Sequence, residues 1–395
     1  MRTWKRGRLV TKDSFVRIAL ALAGGAIAFL ALDTGYRFWS RSRLRPTDRV
    51  VYLDEDLGGY WHRSNSVYTV DYRGSGPHAV SFNAHGFRGT RSPAVAKPPE
   101  VTRIAVIGGS SVEDCGAADG RSWPEVLERC LAEAIGSNRV EVLNLGSSGA
   151  TLRQSLKVLV AKGLVFKPDI VLSYNGNNDF WYAFGRLPGV TIRETWVDYE
   201  ARSASRLERL LCKSIILDHL NRARYYRGRR RNQRYLHDYH RAPPDTHIYV
   251  DMHEHTAWLR DALCDFIELA RSEGFLPVVV EQGSSVTPEL RSDLLYAMWE
   301  VIRRQYRGKD VSWQTYSDGL TLMNEIQHEF AVSNGIPVFA MDSCVPKDMA
   351  HYLDHVHFRE EGSRMAGVCI ARGLLEHPAT RARLLGLPAP DIEPQ

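Results

Sequence analysis

Polar residues able to carry out nucleophilic catalysis follow several apolar runs of the sequence. Residues 108–111 read Gly-Gly-Ser-Ser, residues 144–151 contain a Gly-Ser-Ser-Gly turn, and residues 175–179 read Asn-Gly-Asn-Asn-Asp. Two glycines before a serine permit a tight turn that exposes the hydroxyl at the start of a helix. Near the C-terminus, Asp354 precedes His357 by three residues, a spacing at which a carboxylate can hold the tautomer of a general base. The set predicts a serine nucleophile activated by a histidine.

Each of these signals is weak alone, and their order along the chain gives them weight. Gly-Ser turns are common after strands, and a single Asp-x-x-His is usually a solvated loop. In a parallel sheet, however, the carboxyl ends of the strands meet at one edge, where active sites gather. Nucleophile, donor groups and base all fall at such predicted ends or in the loop before the last helix.

Five short apolar runs bounded by turn residues predict the strands of this sheet. Unbroken runs of Val, Ile and Leu are typical of parallel strands buried on both faces. Helices with capping signals, such as Ser122 with Glu125, alternate with these runs and predict a doubly wound α/β sandwich. Residues 50–100 predict a small β-rich lead-in, and residues 181–255 an insertion after the third strand. The predicted strands are 103–110, 140–147, 169–176, 276–283 and 336–342, and the predicted helices are 122–135, 151–161, 256–272, 288–304, 312–333 and 359–375.

The polar residues resemble the four sequence blocks of the SGNH or GDSL-type serine hydrolases, which carry a Ser, a Gly, an Asn and a His. Ser110 in GGSSV matches the nucleophile block, Gly149 in NLGSSGAT the glycine block, and Asn178 in GNND the asparagine block. Asp354 and His357 match the closing Asp-x-x-His. The resemblance covers roughly residues 100–375. It implies a flavodoxin-like three-layer α/β/α sandwich with a five-stranded parallel sheet.

The resemblance also implies the roles of these residues. His357, oriented by Asp354, takes the proton of Ser110 as the serine attacks an ester carbonyl. The backbone N–H groups of Ser110 and Gly149 and the side-chain amide of Asn178 then stabilise the oxyanion. No metal and no cofactor is expected in this mechanism.

Several other residues leave alternatives open. Gly109 stands where the name-giving GDS triplet has an aspartate, a position that the mechanism does not use. Ser111 is a rival nucleophile, but aligning GGSSV with the family's nucleophile block favours Ser110. Phe180 and Trp181 follow the asparagine block and either line an acyl or sugar pocket or belong to a core. The His-x-His at 253–255 lacks a third ligand at fixed spacing, so we expect no metal there.

Positive charge is concentrated at the N-terminus. The net charge is +5, yet residues 1–50 carry eleven basic and three acidic side chains, so the remaining residues sum to −3. A nearly neutral body argues against nucleic-acid binding.

The uncharged residues 18–32, extended back to 15, approach the ~17-residue minimum of a spanning helix. We expect an N-terminal transmembrane helix acting as a signal-anchor with a periplasmic or extracellular body, the alternatives being a cleaved signal peptide or a buried helix.

These expectations divide the chain into four parts. Residues 1–45 form the basic segment and anchor, 46–100 the lead-in, 101–380 the hydrolase domain with its insertion at about 181–255, and 381–395 a tail. An Arg-rich run at 222–241 predicts a solvated surface or a contact with anionic lipid or polysaccharide. The six cysteines contain no Cys-x-x-Cys pair and suit either redox compartment.

The predicted function is a serine esterase that hydrolyses an O-acyl ester, on a cell-envelope carbohydrate or lipid. Two alternatives remain open at this point. One is O-acyl transfer through the same triad, and the other is a catalytically inactive module that binds glycan. The oligomeric state does not follow from the sequence.

Overall fold

The structure, a computed structural model, describes residues 12–40, 51–54, 57, 59–71, 74–136, 139–192, 246–288 and 304–387. Helix α1 (Lys12–Ser40) covers the segment for which the sequence predicts a membrane anchor. Within the ranges just given, no helix has both the length and the apolar character needed to cross a membrane. The predicted transmembrane anchor is therefore not supported by the structure.

Two antiparallel hairpins make up the β-rich lead-in. Strand β1 (Val51–Asp54) pairs with β2 (Gly59–His62), and β3 (Ser66–Val70) pairs with β4 (His78–Phe82). After β4, the backbone N–H of Arg88 donates to the carbonyl of Asn144 at 3.3 Å. The lead-in thus continues onto the edge of the main sheet.

A five-stranded parallel sheet lies at the centre of the body, which confirms the α/β class and the five predicted strands. Read from one edge, its spatial order is β6-β5-β7-β10-β13, which is 2-1-3-4-5 when the five strands are numbered along the chain. This is the order of flavodoxin-like doubly wound sheets. The strands that the structure describes after the lead-in are β5 (Thr102–Gly108), β6 (Val140–Gly146), β7 (Ile170–Tyr174), β8 (Val190–Ile192), β9 (His247–Ile248), β10 (Leu276–Glu281), β11 (Arg304–Tyr306), β12 (Lys309–Val311) and β13 (Val338–Ala340).

Helices cover both faces of the sheet. Successive side chains of a strand point to opposite faces, so Ile104 and Val106 of β5 pack in one core cluster and Ala105 and Ile107 in another. Helices α3 and α8 contribute to the first cluster, and α4, α5, α6 and α7 to the second. Among the described residues of the body, the helices are α2 (Ser110–Glu113), α3 (Trp123–Ile135), α4 (Leu152–Val158), α5 (Asn177–Gly185), α6 (Ala257–Glu273), α7 (Trp313–Ser333), α8 (Glu360–Glu376) and α9 (Pro378–Leu384).

Capping residues begin two of these helices where the sequence predicts them to begin. Ser122 and Glu125 form a capping box at the start of α3, and Thr151 forms one with Gln154 at the start of α4. The structure differs from the predicted helix 151–161 at the C-terminal end of that helix. There α4 passes into a π-helix at Leu159–Gly163 and a 3₁₀ turn at Leu164–Phe166.

A second sheet, of four strands, is a feature that the sequence does not predict. Its order is β8-β11-β12-β9, so it joins the two ends of the predicted insertion to the strands just before α7. Most of the insertion, including the Arg-rich run 222–241, lies outside the described residues. So do most of the predicted helix 288–304 and residues 388–395 of the tail. The predicted domain boundaries stay predictions.

Candidate active site

Three strands of the main sheet end side by side. Gly108, the last residue of β5, pairs in register with Gly146 at the end of β6 and with Tyr174 at the end of β7. The three polar segments noted in the sequence follow these ends directly. The parallel register therefore brings together three segments that are well separated in the chain.

Ser110 is the first residue of helix α2, one residue after a glycine cap. A Cβ at Gly109 would clash with Nδ2 of Asn178 and would lie 3.2 Å from the carbonyl oxygen of Ala150. The glycine that departs from the GDS triplet therefore allows the asparagine loop to approach the nucleophile. The Ser110 side chain itself is half-buried.

His357 joins Ser110 to Asp354. Its Nε2 lies 2.7 Å from the Ser110 hydroxyl oxygen, and its Nδ1 lies 2.8 Å and 2.9 Å from the two carboxylate oxygens of Asp354. The Asp354 carboxylate is fully buried and also accepts the backbone N–H groups of Val356 and His357, each at 2.9 Å. A carboxylate fixed in this way orients the imidazole with Nε2 towards the hydroxyl.

The loop that carries Asp354 and His357 is held by three serines. Ser111, next to the nucleophile, donates through its hydroxyl to the carbonyl of Val356 at 3.1 Å. Ser284 and Ser285, which follow β10, donate to the carbonyls of His355 and Asp354 at 2.8 Å and 2.9 Å. The Ser111 hydroxyl thus has a structural partner of its own.

A disulfide encloses the same loop. Cys344, after β13, is bonded to Cys369 on α8, with the two Cα atoms 5.9 Å apart. The segment between the two cysteines contains both Asp354 and His357. Sequence spacing does not identify this pair, because the partners meet only when α8 packs beside the end of β13.

The three hydrogen-bond donors implied for the oxyanion lie in the segments that follow β5, β6 and β7. Gly149 has a φ of +80°, a backbone conformation that favours glycine, and it lies in the turn after β6. Neither its N–H nor that of Ser110 donates to another residue in the described part of the chain. Asn178 Nδ2 donates to the carbonyl of Ala150 at 3.0 Å, which leaves its second proton for another acceptor. These are the three donors that the resemblance implies for an oxyanion hole.

Glu113, which sequence reasoning missed, ties the nucleophile helix to the turn before Gly149. Its carboxylate accepts the N–H of Ser148 at 3.0 Å and the Ser148 hydroxyl at 2.7 Å. It also accepts from Cys115 Sγ at 2.9 Å and lies 3.4 Å from His62 of the lead-in. Burial raises the pKa of this carboxyl, but His62 and the hydrogen bonds outweigh burial and lower it to about 2.

Two further buried carboxyls lie beside the site. Burial raises the pKa of Asp179 to about 6, although the backbone N–H groups of Leu152 and Gly176 oppose the rise. Burial likewise raises the pKa of Asp114, at the end of α2, to about 7. Asp179 connects the start of α4 to the asparagine loop, so its role is in holding the loop.

Of the two alternatives that the sequence leaves open for Phe180 and Trp181, the structure places both side chains in the core. Phe180 is fully buried and Trp181 is 5% exposed, and both pack in the core cluster on the α7 face of the sheet. Trp181 stacks on Tyr316 of α7 with ring centroids 5.0 Å apart. The physical reason is helical: Phe180 and Phe184, four residues apart on α5, face the core together.

The His-x-His segment forms a 3₁₀ turn on the surface. His253 Nδ1 lies 2.6 Å from the Asp251 carboxylate, and both side chains are exposed. In the part of the chain that the structure describes, no three His, Cys, Asp or Glu side chains form a group that could hold a metal ion.

Comparisons with known proteins give matches to solved structures alone. No protein-family model matches the sequence, and no curated protein matches it significantly. A GDSL-like lipase from Bacteroides thetaiotaomicron is 14% identical, with 71% of this chain and 90% of that chain covered and a TM-score of 0.36. An acetylxylan esterase, Axe2, from Geobacillus stearothermophilus is 13% identical, covering 73% and 97%, with a TM-score of 0.40.

A third similar structure is LAE5, an alpha/beta hydrolase enzyme from the metagenome of Lake Arreo, Spain. It is 14% identical, with 74% of this chain and 99% of that chain covered and a TM-score of 0.39. Likenesses at these identities and TM-scores carry no functional argument.

Proposed function

We propose that the chain is a serine esterase of the SGNH type with Ser110 as nucleophile, His357 as general base and Asp354 as its orienting carboxylate. The observation that carries the proposal is the continuous line of hydrogen bonds from Ser110 Oγ through both ring nitrogens of His357 to Asp354. This line connects residues 247 positions apart in sequence.

The reaction follows from these contacts. His357 Nε2 accepts the Ser110 proton as Oγ attacks the ester carbonyl, and Asp354 stabilises the imidazolium that forms. The N–H groups of Ser110 and Gly149 and the Asn178 amide donate to the oxyanion. His357 then returns its proton to the leaving alcohol, and water, activated by the same imidazole, releases the acid from the acyl-enzyme.

The substrate that we propose is an O-acyl ester on a cell-envelope carbohydrate or lipid, and the proposed location of the body is periplasmic or extracellular. The Cys344–Cys369 disulfide supports an oxidising compartment, where such bonds persist. Attachment to the membrane rests on the sequence of the N-terminal segment alone. Product analysis with and without an acceptor sugar separates hydrolysis from acyl transfer.

The test compares wild-type protein with Ser110→Ala and Ser111→Ala. Wild-type protein is expected to release p-nitrophenol from p-nitrophenyl acetate with a burst and to be labelled by an organophosphonate. Ser110→Ala loses both, whereas Ser111→Ala keeps the label because the nucleophile remains. Full labelling and turnover in folded Ser110→Ala would refute the proposal, and inactive wild-type protein would point to a module that only binds.

A further inference from the structure

A buried tyrosine on α7 reaches the candidate oxyanion hole through two asparagines. The Tyr316 hydroxyl donates to Oδ1 of Asn177 at 2.7 Å. Nδ2 of Asn177 donates to Oδ1 of Asn178 at 3.3 Å, and Nδ2 of Asn178 donates to the carbonyl of Ala150 at 3.0 Å. The chain of donors therefore runs in one direction, from α7 to the loop beside Ser110.

This direction decides which end of the Asn178 amide faces the reacting atoms. An asparagine side chain has an oxygen that accepts and a nitrogen that donates, and only the nitrogen stabilises an oxyanion. Tyr316 supplies a proton to Asn177 Oδ1, so Asn177 Nδ2 is turned towards Asn178. Asn178 Oδ1 is then occupied as an acceptor, and its Nδ2 is left on the side of the nucleophile.

The aromatic cluster around Tyr316 fixes the position of its hydroxyl. The ring is fully buried and stacks on Trp181 with an interplanar angle of 10°. Phe180 packs against the ring in a T-shaped arrangement and Trp313 in a tilted one, at centroid distances of 5.4 Å and 5.8 Å. The two aromatic residues that follow Asn178 on α5 thus hold the tyrosine that orients it.

We propose that Tyr316 is a positioning residue for the oxyanion hole, acting through Asn177 to keep the Asn178 amide in its donating orientation. The inference rests on the proposed esterase function and extends it to a residue 139 positions from Asn177 in sequence. Most buried hydroxyls have a hydrogen-bond partner, whatever their role. What distinguishes the proposal is that the effect of Tyr316 on turnover passes through Asn178.

Ester turnover by Tyr316→Phe is the first test, because this change removes one hydroxyl and keeps the packed ring. We expect kcat to fall about tenfold with KM unchanged, less than the ~10²–10³ that loss of an oxyanion donor costs. Tyr352→Phe is the matched control, because its buried hydroxyl has no partner in the described part of the chain. That control is expected to retain wild-type kcat, and an unchanged kcat in Tyr316→Phe overturns the proposal.

A double-mutant comparison separates positioning from a general structural effect. In an Asn178→Ala background, Tyr316→Phe has nothing left to orient, so we expect less than a twofold further loss of kcat. A repeated tenfold loss in that background shows that Tyr316 acts by another route and overturns the proposal. Ser110→Ala in the same assay reports separately on the esterase proposal.

A spectroscopic measurement tests the relay without relying on turnover. In protein labelled with ¹⁵N-asparagine, the Asn178 side-chain amide signal is identified by its loss in Asn178→Ala. We expect Tyr316→Phe to shift this signal and Tyr352→Phe to leave it in place. An Asn178 signal that does not move in Tyr316→Phe overturns the relay, whether or not the protein cleaves an ester.

Discussion

The buried carboxylate of Glu113 leads to a stability prediction that depends on pH. Its folded pKa is about 2, against an ordinary value of 4.5, because His62 and the Cys115 and Ser148 hydrogen bonds outweigh burial. A difference of this size corresponds to about 3 kcal/mol, since one pKa unit is about 1.36 kcal/mol. A lowered folded pKa stabilises the protein above about pH 4.5, and this contribution is lost as the pH falls towards 2.

Glu113→Gln removes the charge while keeping the shape of the side chain. We expect its free energy of unfolding to be about 3 kcal/mol below that of wild type at pH 6. At pH 3 the wild-type carboxylate stabilises the fold less than at pH 6. The difference in free energy of unfolding between wild type and variant is therefore smaller by about 2 kcal/mol. Urea unfolding followed by tryptophan fluorescence at the two pH values measures both quantities.

The matched control is Glu133→Gln, an exposed glutamate on α3. It is expected to change the free energy of unfolding by less than about 0.5 kcal/mol at either pH. Two results would refute the reasoning: a Glu113→Gln variant as stable as wild type at pH 6, or a gap of equal size at pH 6 and pH 3.

Three further predictions concern the carboxyl at the end of α2, the disulfide and the loop after β10. Burial raises the folded pKa of Asp114 to about 7. Between about pH 4 and 7 the folded protein therefore keeps a proton on Asp114 that the unfolded protein releases, and the free energy of unfolding falls as the pH rises through this range. Asp114→Asn should show a smaller fall in urea unfolding between pH 4.5 and 8. Reducing the Cys344–Cys369 bond should lower the free energy of unfolding by about 3–4 kcal/mol, measured with and without dithiothreitol, whereas Cys264→Ser, which removes an exposed free thiol, should leave it unchanged. Ser285→Ala, which removes the hydroxyl that donates a hydrogen bond to the Asp354 carbonyl, should lower the free energy of unfolding by about 1 kcal/mol, measured by thermal unfolding.

The main sheet could be predicted from the sequence because its signal is local. A run such as Ile104–Ile107 is apolar on both faces, and in the structure the two faces pack in different core clusters. The four-stranded sheet could not be predicted in the same way. Its strands are two or three residues long, and the antiparallel partner of β8 lies more than 100 positions away.

The residues that touch the reacting atoms carry a sequence signature, and the residues that support them do not. Ser110 follows a Gly-Gly turn and His357 lies in a loop three residues after Asp354, so both could be chosen as candidates. Glu113 and Tyr316 look like ordinary members of helices, and their partners are decided by how α2 and α7 pack. For Phe180 the sequence leaves a pocket and a core open, and the structure places the ring in the core.

The contact between the lead-in and β6 has a consequence for aggregation. Strand β6 is at the edge of the main sheet, and an uncovered edge offers unpaired backbone groups to another chain. The Arg88 N–H covers part of that edge by donating to the Asn144 carbonyl. A truncated protein starting at residue 101 would therefore present a bare, largely apolar strand, and its loss of solubility would come from self-association of the sheets.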